Sequence, residues 1–261
     1  MTNNSAVYWT ANDFSLHTMA WSVKSFGGRR FFGPAKKGED LSIPFKRGRV
    51  YVPKSRESQW YDLNMWVLPV TEDGPRDSVL TREEKAHENW RRIIAAVDVE
   101  GQFDLTKRWY DGNVIKSATA QAEFVDGDGP DADDGTGFYF SLKLLLADPY
   151  FYTPADPIGS GSVTVEGEAP TDHVEITFTG GTNPRLTLPG GNWIQYNGTV
   201  GATPVVISSL TGNAKRGSSY VNGMITRSPK HGEMPTLAPG DQNLALTGGG
   251  TVSIAYDAAY R

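Results

Sequence analysis

Asp148-Pro149-Tyr150-Phe151-Tyr152-Thr153-Pro154-Ala155-Asp156-Pro157 is the stretch on which the reading of this 261-residue chain turns. Its three prolines fix φ and remove three amide donors, so neither a continuous helix nor a central strand is expected through it. Charge density changes at the same place. Of 55 charged side chains, 41 fall in residues 1–154 and only 14 in residues 155–261. The chain therefore reads as two domains, 1–154 and 155–261, each of a size that holds its own core. Asp148, Pro149, Tyr150, Phe151 and Tyr152 form the expected domain junction, with the three aromatic rings packed.

On the N-terminal side, residues 50–52, 63–70, 114–124 and 138–146 have strand composition. The last of these places Phe138, Phe140, Leu142 and Leu144 on one face. Asp73-Gly74, Asp111-Gly112 and Asp134-Gly135 mark tight turns, as in an antiparallel meander. One helix interrupts it. Thr81 followed three residues later by Glu84 is a capping-box pattern, and Trp90, Ile93, Ile94 and Val97 then recur at helical spacing. That stripe is expected to be buried, with Lys85, Glu88, Arg91 and Arg92 in water. A single helix on strands predicts a small barrel-like domain.

On the C-terminal side, residues 162–165, 174–178, 185–188, 193–196, 205–207, 220–225, 244–246 and 252–256 read as short strands separated by Gly, Pro or Asn. This pattern predicts a β-sandwich. Asn197-Gly198 and Asn222-Gly223 are the hairpin candidates, because such turns need positive φ at both central residues.

Chemistry is sparse. The absence of cysteine removes disulfides, thiolate nucleophiles and cysteine-based metal sites. His17, His87, His173 and His231 are widely spaced, and no Gly-x-Ser-x-Gly elbow accompanies them. His231-Gly232-Glu233 supplies two metal-ligand types and no third. The acidic run from Asp126 to Gly135 fails calcium-loop spacing, with Pro130 at its fifth position and Gly137 at its twelfth. Gly159-Ser160-Gly161 leads into a strand, not a helix, so it cradles no phosphate. No cofactor, metal or catalytic residue is predicted. The first eleven residues are polar, which predicts no secretory signal, and no apolar run approaches the ~20 residues of a membrane span.

The net charge of −5 hides two opposed segments. Residues 24–56 hold ten Lys or Arg against Glu39 and Asp40, and residues 123–134 hold six acids and no base. Arg29, Arg30, Lys36, Lys37, Lys46 and Arg47 are therefore candidate subunit or partner contacts, facing Asp131, Asp133 and Asp134. Interleaved aromatics would also suit single-stranded nucleic acid, a weaker reading for a run of strand faces and loops. Six of the seven Trp lie before the junction. Most are expected in the core, with one or two free to anchor a neighbour.

Several segments in order resemble one family, the distal tail proteins of siphophages, also called minor tail proteins. They are Leu41-Ser42-Ile43-Pro44-Phe45-Lys46-Arg47-Gly48-Arg49, then Trp66-Val67-Leu68-Pro69-Val70-Thr71-Glu72-Asp73-Gly74 and Ala147-Asp148-Pro149-Tyr150-Phe151-Tyr152. Gly180-Gly181-Thr182-Asn183-Pro184-Arg185-Leu186-Thr187-Leu188, Trp193-Ile194-Gln195-Tyr196-Asn197-Gly198-Thr199 and Gly248-Gly249-Gly250-Thr251-Val252-Ser253-Ile254-Ala255-Tyr256 follow. The resemblance implies a mainly β fold: a belt-like split β-barrel domain with one α-helix, then a galectin-like β-sandwich. It also implies a non-enzymatic virion protein of the tail tip, forming a ring of six that joins the tail tube to the tip or baseplate hub. The implied partners are other copies of the chain, the tail tube protein and the tail hub or tail-associated protein. Tape measure and DNA would pass through the lumen without tight binding, and no membrane is involved.

Two other readings compete. Trp193, Tyr196 and Tyr220 suit a carbohydrate-binding module that recognises host surface glycans through the C-terminal sandwich. Against it, no galectin-type cluster of His, Asn, Arg, Trp and Glu maps onto residues 158–261, where Trp193 stands alone. A polysaccharide hydrolase would need two carboxylates about 5–10 Å apart across a cleft, and no pair stands out.

Overall fold

The structure, a computed structural model, describes residues 6–28, 38–42, 49–53, 59–75, 79–111, 114–127, 137–228 and 234–260. The chain divides into two compact units, Met1–Phe151 and Tyr152–Arg261.

In the first unit the elements run β1 (Ala6–Ala11), β2 (Phe14–Ser15), β3 (Trp21–Gly28), β4 (Gly38–Ser42), β5 (Arg49–Pro53) and β6 (Gln59–Val67). The helix α1 (Arg82–Val97) and strands β7 (Phe103–Asp111), β8 (Val114–Gly127) and β9 (Phe138–Leu146) complete it. β4 and β5 pair with each other, and the remaining strands form one antiparallel sheet in the order β3-β6-β9-β8-β7-β1-β2. β2 and β3 stand at opposite ends of that order, yet only residues 16–20 separate them in the chain. Such a connection reaches about 20 Å at most, so the sheet must curl until its ends approach. An isolated bridge joins His17 of that connection to Ser22 of β3. The curled sheet with its helix is a belt-like split barrel.

Its core follows from strict alternation. β6 and β9 pair without a bulge from Gln59↔Leu146 to Val67↔Phe138. Tyr61, Leu63, Met65 and Val67 face Leu144, Leu142, Phe140 and Phe138 across this ladder, and all eight are buried. The predicted strand 63–70 therefore starts four residues earlier and stops at Val67. Pro69 has no amide to continue the ladder, and the side chain of Asn89 instead donates to the carbonyls of Leu68 and Val70, each at 2.9 Å.

The helix begins where predicted: Thr81 accepts from the Glu84 amide, and the Glu84 carboxylate accepts from the Thr81 amide. Its buried stripe differs from the predicted one. Lys85, Ala86, Asn89, Ile93 and Val97 are buried, while Trp90 and Ile94 are half-exposed. Lys85, expected in water, lays its aliphatic stem against the domain and holds its ammonium 2.9 Å from Glu88. The stripe is rotated because Asn89 must face the carbonyls after β6.

β10 (Phe151–Pro154) spans the boundary between the units. The prolines do not exclude a strand here; Pro149 precedes it and Pro154 ends it. The second unit continues with β11 (Gly161–Val165), β12 (Val174–Thr179), β13 (Arg185–Thr187), β14 (Trp193–Tyr196) and β15 (Val205–Ser208). β16 (Ala214–Arg216), β17 (Ser219–Tyr220), β18 (Ile225–Arg227), β19 (Gly240–Thr247) and β20 (Thr251–Tyr260) follow. One sheet has the order β17-β16-β15-β12-β20 and the other β11-β19-β13-β14-β18. Ile176, Phe178, Ile207 and Ile254 from the first and Leu186, Ile194, Tyr196 and Leu244 from the second are buried, giving the core of a galectin-like sandwich.

Neither Asn-Gly pair forms a hairpin. None of their four residues has positive φ, because each lies where the chain leaves one sheet for the other. Asn222–Met224 is a 3₁₀ turn that breaks the predicted strand 220–225 into β17 and β18. The glycines that do need their conformation lie elsewhere. Gly248 (φ +87°) accepts from the Thr182 amide at 2.8 Å, and a Cβ there would lie 2.5 Å from the Asn183 carbonyl oxygen. Two glycine-rich loops, 180–183 and 248–250, thus interlock backbone to backbone.

Two substitutions test this description. Asn89→Ala frees two carbonyls and should destabilise the first unit by about 1–3 kcal/mol. Urea unfolding followed by tryptophan fluorescence measures this, since six of seven Trp belong to that unit; an unshifted midpoint contradicts it. Gly248→Ala should cost the second unit about 2 kcal/mol or more, read as loss of hydrogen-exchange protection in β19 and β20.

Candidate functional site

The predicted junction residues are held by named contacts. Asp148 accepts from the Tyr150 amide at 3.2 Å, and the buried Tyr61 hydroxyl donates to the Pro149 carbonyl at 3.2 Å. Burial pushes the Tyr61 phenol up to about 12, assisted by the negative charge of Tyr150 and Asp148. Phe151, 1% exposed, meets Trp9 edge to face at 5.7 Å, and the Lys107 ammonium lies 4.7 Å from the Phe151 ring and 5.2 Å from the Trp109 ring. Tyr152 belongs to the second unit, where its ring stacks on His173 at 3.9 Å while His173 Nδ1 lies 3.3 Å from Asp257. Successive rings are therefore packed, one in each unit.

The predicted contact residues Arg29, Arg30, Lys36, Lys37, Lys46, Arg47, Asp131, Asp133 and Asp134 lie outside the described residues, as do His231 and Glu233. Among the described residues no three His, Cys, Asp or Glu converge as metal ligands. His17 is half-buried, its Nε2 has no partner, and burial lowers its pKa. His87 lies near Phe138 at 6.0 Å.

What the structure does assemble is surface. Trp9, Trp21 and Trp109 are core, whereas Trp60 is 54% exposed. It lies on the outer face of the β6–β9 ladder, where cross-strand pairs are Trp60↔Leu145, Asp62↔Lys143, Asn64↔Ser141 and Trp66↔Tyr139. Tyr139 is 59% exposed and its ring centroid lies 4.1 Å from that of Trp66. Apolar ends thus flank a polar depression lined by Asp62, Asp126, Gly127, Ser141 and Lys143. Sequence pattern sets which residues alternate, but not that Trp60 and the Trp66–Tyr139 pair fall on the outer side.

Trp193, Tyr196 and Tyr220 do not share a surface. Tyr196 is buried with its hydroxyl on the Met224 sulfur, and Tyr220 belongs to the other sheet, under the Lys215 ammonium. Trp193 has different company. Arg185 stacks over its ring at 4.2 Å, and Gln195 beside it donates to Asn197 at 2.8 Å. Sequence reading missed this group because its members come from separate strands and a following loop.

These features define a mainly β, two-unit protein whose conspicuous groups are surface and packing groups. No family model and no curated protein matches the sequence. Among solved structures the fold is similar to that of the Dit protein (gp 19.1) of phage SPP1, described as a paradigm of the hub adsorption apparatus of phages infecting Gram-positive bacteria. The TM-score is 0.63 at 13% identity, over 97% of this chain and 99% of that one. The belt-like barrel and the galectin-like sandwich thus have the fold of the SPP1 Dit protein. A chain of the phage P2 baseplate in its activated conformation with calcium aligns at TM-score 0.39 and 8% identity over 96% of this chain and 97% of that one.

The Tyr61 anchor has a pH signature. A phenol whose folded pKa is raised stabilises the fold fully below its ordinary value near 10, and that contribution is lost as pH rises toward about 12. Tyr61→Phe should flatten the stability loss over that alkaline range relative to the unaltered protein; identical alkaline unfolding curves would rule the anchor out.

Proposed function

We propose that this chain is a structural component of the tail tip of a long-tailed bacteriophage. In this reading residues 1–154 build a ring, of six copies, that joins the tail tube to the tip or baseplate hub, and residues 155–261 form an accessory sandwich. The observation that carries it is likeness of fold to the SPP1 Dit protein over nearly the full length of both chains. The tail tube protein and the tail hub protein are the proposed neighbours, with tape measure and DNA passing through the lumen, and the site of action is the virion.

Two features support ring building. A closing head-to-tail interface uses two different patches of one subunit, and the basic residues Arg29, Arg30, Lys36, Lys37, Lys46 and Arg47 with the acidic Asp131, Asp133 and Asp134 supply opposite charges for register. Exposed Trp60 and Tyr139 on one sheet face supply the large aromatic anchors that dominate interface energetics. No group of catalytic geometry is needed for this role.

Sedimentation of the purified chain tests it. A closed oligomer is expected at high concentration, alone or with a tube or hub protein, and a strictly monomeric species under both conditions contradicts the reading. Trp60→Ala should weaken association about tenfold or more while leaving the circular dichroism spectrum unchanged, because that side chain is 54% exposed in the single chain.

A further inference from the structure

The outer face of the sheet β11-β19-β13-β14-β18 carries a charge with no ion-pair partner among the described residues. Arg185 is half-buried, its Nε is wholly buried without a hydrogen bond, and it makes no ion pair among the described residues. Its guanidinium lies over the face of Trp193. Burying the Nε–H without an acceptor is costly. Stacking on an indole recovers part of that cost, and the rest of the guanidinium has no carboxylate beside it among the described residues. Asn192, next to Trp193 in the chain, also has a buried Oδ1 without a partner. The guanidinium suits an anionic acceptor, and the amide oxygen, itself an acceptor, suits a hydroxyl donor.

The surroundings indicate its class. Cross-strand pairing puts Arg185 beside Gln195 and Thr247, and Trp193 beside Thr187, which in turn pairs with Ala245. Thr226 pairs with Gln195, and Asn197 ties both together through bonds of 2.8 and 3.4 Å, so these amides are held in place. Further along β19 the same face continues as Asn243 beside Ser162 and Asp241 beside Thr164. A shallow pocket lies there, lined by Ser162, Val163, Thr164, Asp241, Gln242 and Asn243. The strip along β19 is about 20 Å long. It offers one aromatic ring amid hydroxyls and amides, and no aliphatic side chain larger than Ala245. A protein interface would need several apolar anchors at its centre. Nucleic acid would need several cations, and this face presents Arg185 against Asp241.

We infer that this face binds an acidic saccharide, with Arg185 holding the carboxylate or phosphate of a sugar, Trp193 packing against its ring and the strip toward Asn243 and Ser162 meeting its hydroxyls. The site lies within the second unit and does not depend on ring formation. A glycan array and calorimetry on the full chain test it, with uronate-bearing oligosaccharides, sugar-phosphate oligomers, neutral oligosaccharides and single-stranded DNA as probes. The expected result is binding of an anionic saccharide, with the uronate and phosphate arms identifying the anion and neutral counterparts binding about tenfold weaker or worse. Arg185→Gln should reduce affinity about tenfold or more, Trp193→Ala should abolish binding, and Lys215→Gln on the other sheet should change nothing. Arg185→Gln conserves size and guards against a misfolded Trp193 variant. Absence of binding to every saccharide, equal binding of neutral and acidic ones, tighter binding of DNA, or full affinity in Arg185→Gln would each overturn the proposal. Oligomers that form normally yet bind no saccharide would refute this site and leave the assembly reading intact.

Discussion

The bulge-free ladder between β6 and β9 is the constraint from which the first unit follows. Because side chains alternate faces, one register places Tyr61, Leu63, Met65 and Val67 against Leu144, Leu142, Phe140 and Phe138, and all are buried. A slip of β6 by one residue would put Trp60, Asp62, Asn64 and Trp66 inside and send Tyr61, Leu63, Met65 and Val67 to water. The same register presents Trp60 and Tyr139 outward. Core and candidate contact surface are thus two faces of one pairing decision, and the Tyr61 hydroxyl carries that decision into the junction through Pro149.

Alternation and capping were legible because they are local. The strand at residues 138–146 and the helix start at Thr81 need no knowledge of neighbours. The buried stripe of the helix was not legible, since Asn89 is buried to satisfy the carbonyls of Leu68 and Val70, some twenty residues earlier. Both Asn-Gly pairs misled for a related reason. Their turn chemistry suits hairpins, but a sandwich sends the chain between sheets at those points, and tertiary demand overrode it. The glycines that matter, in loops 180–183 and 248–250, were visible as separate motifs of one resemblance. That they interlock is a three-dimensional fact.

Sites were less legible than fold. Trp193 stands alone in the sequence, and Arg185 looks like any surface arginine until register sets it over the indole ring. Binding constellations on sheets are drawn from separate strands, so spacing along the chain carries little of their signal. The charged segments show the reverse. Arg29 through Arg47 and Asp131 through Asp134 were conspicuous as composition, and their use depends on what they meet in an assembly.

The conspicuous groups among the described residues lie on surfaces, and a place in a virion is the central claim of the proposed function. Electron microscopy of intact virions decorated with gold-labelled antibody against the chain tests that claim most directly. Label confined to the distal end of the tail is the predicted result. Label on the capsid, distributed along the tail, or absent from the particle would contradict it.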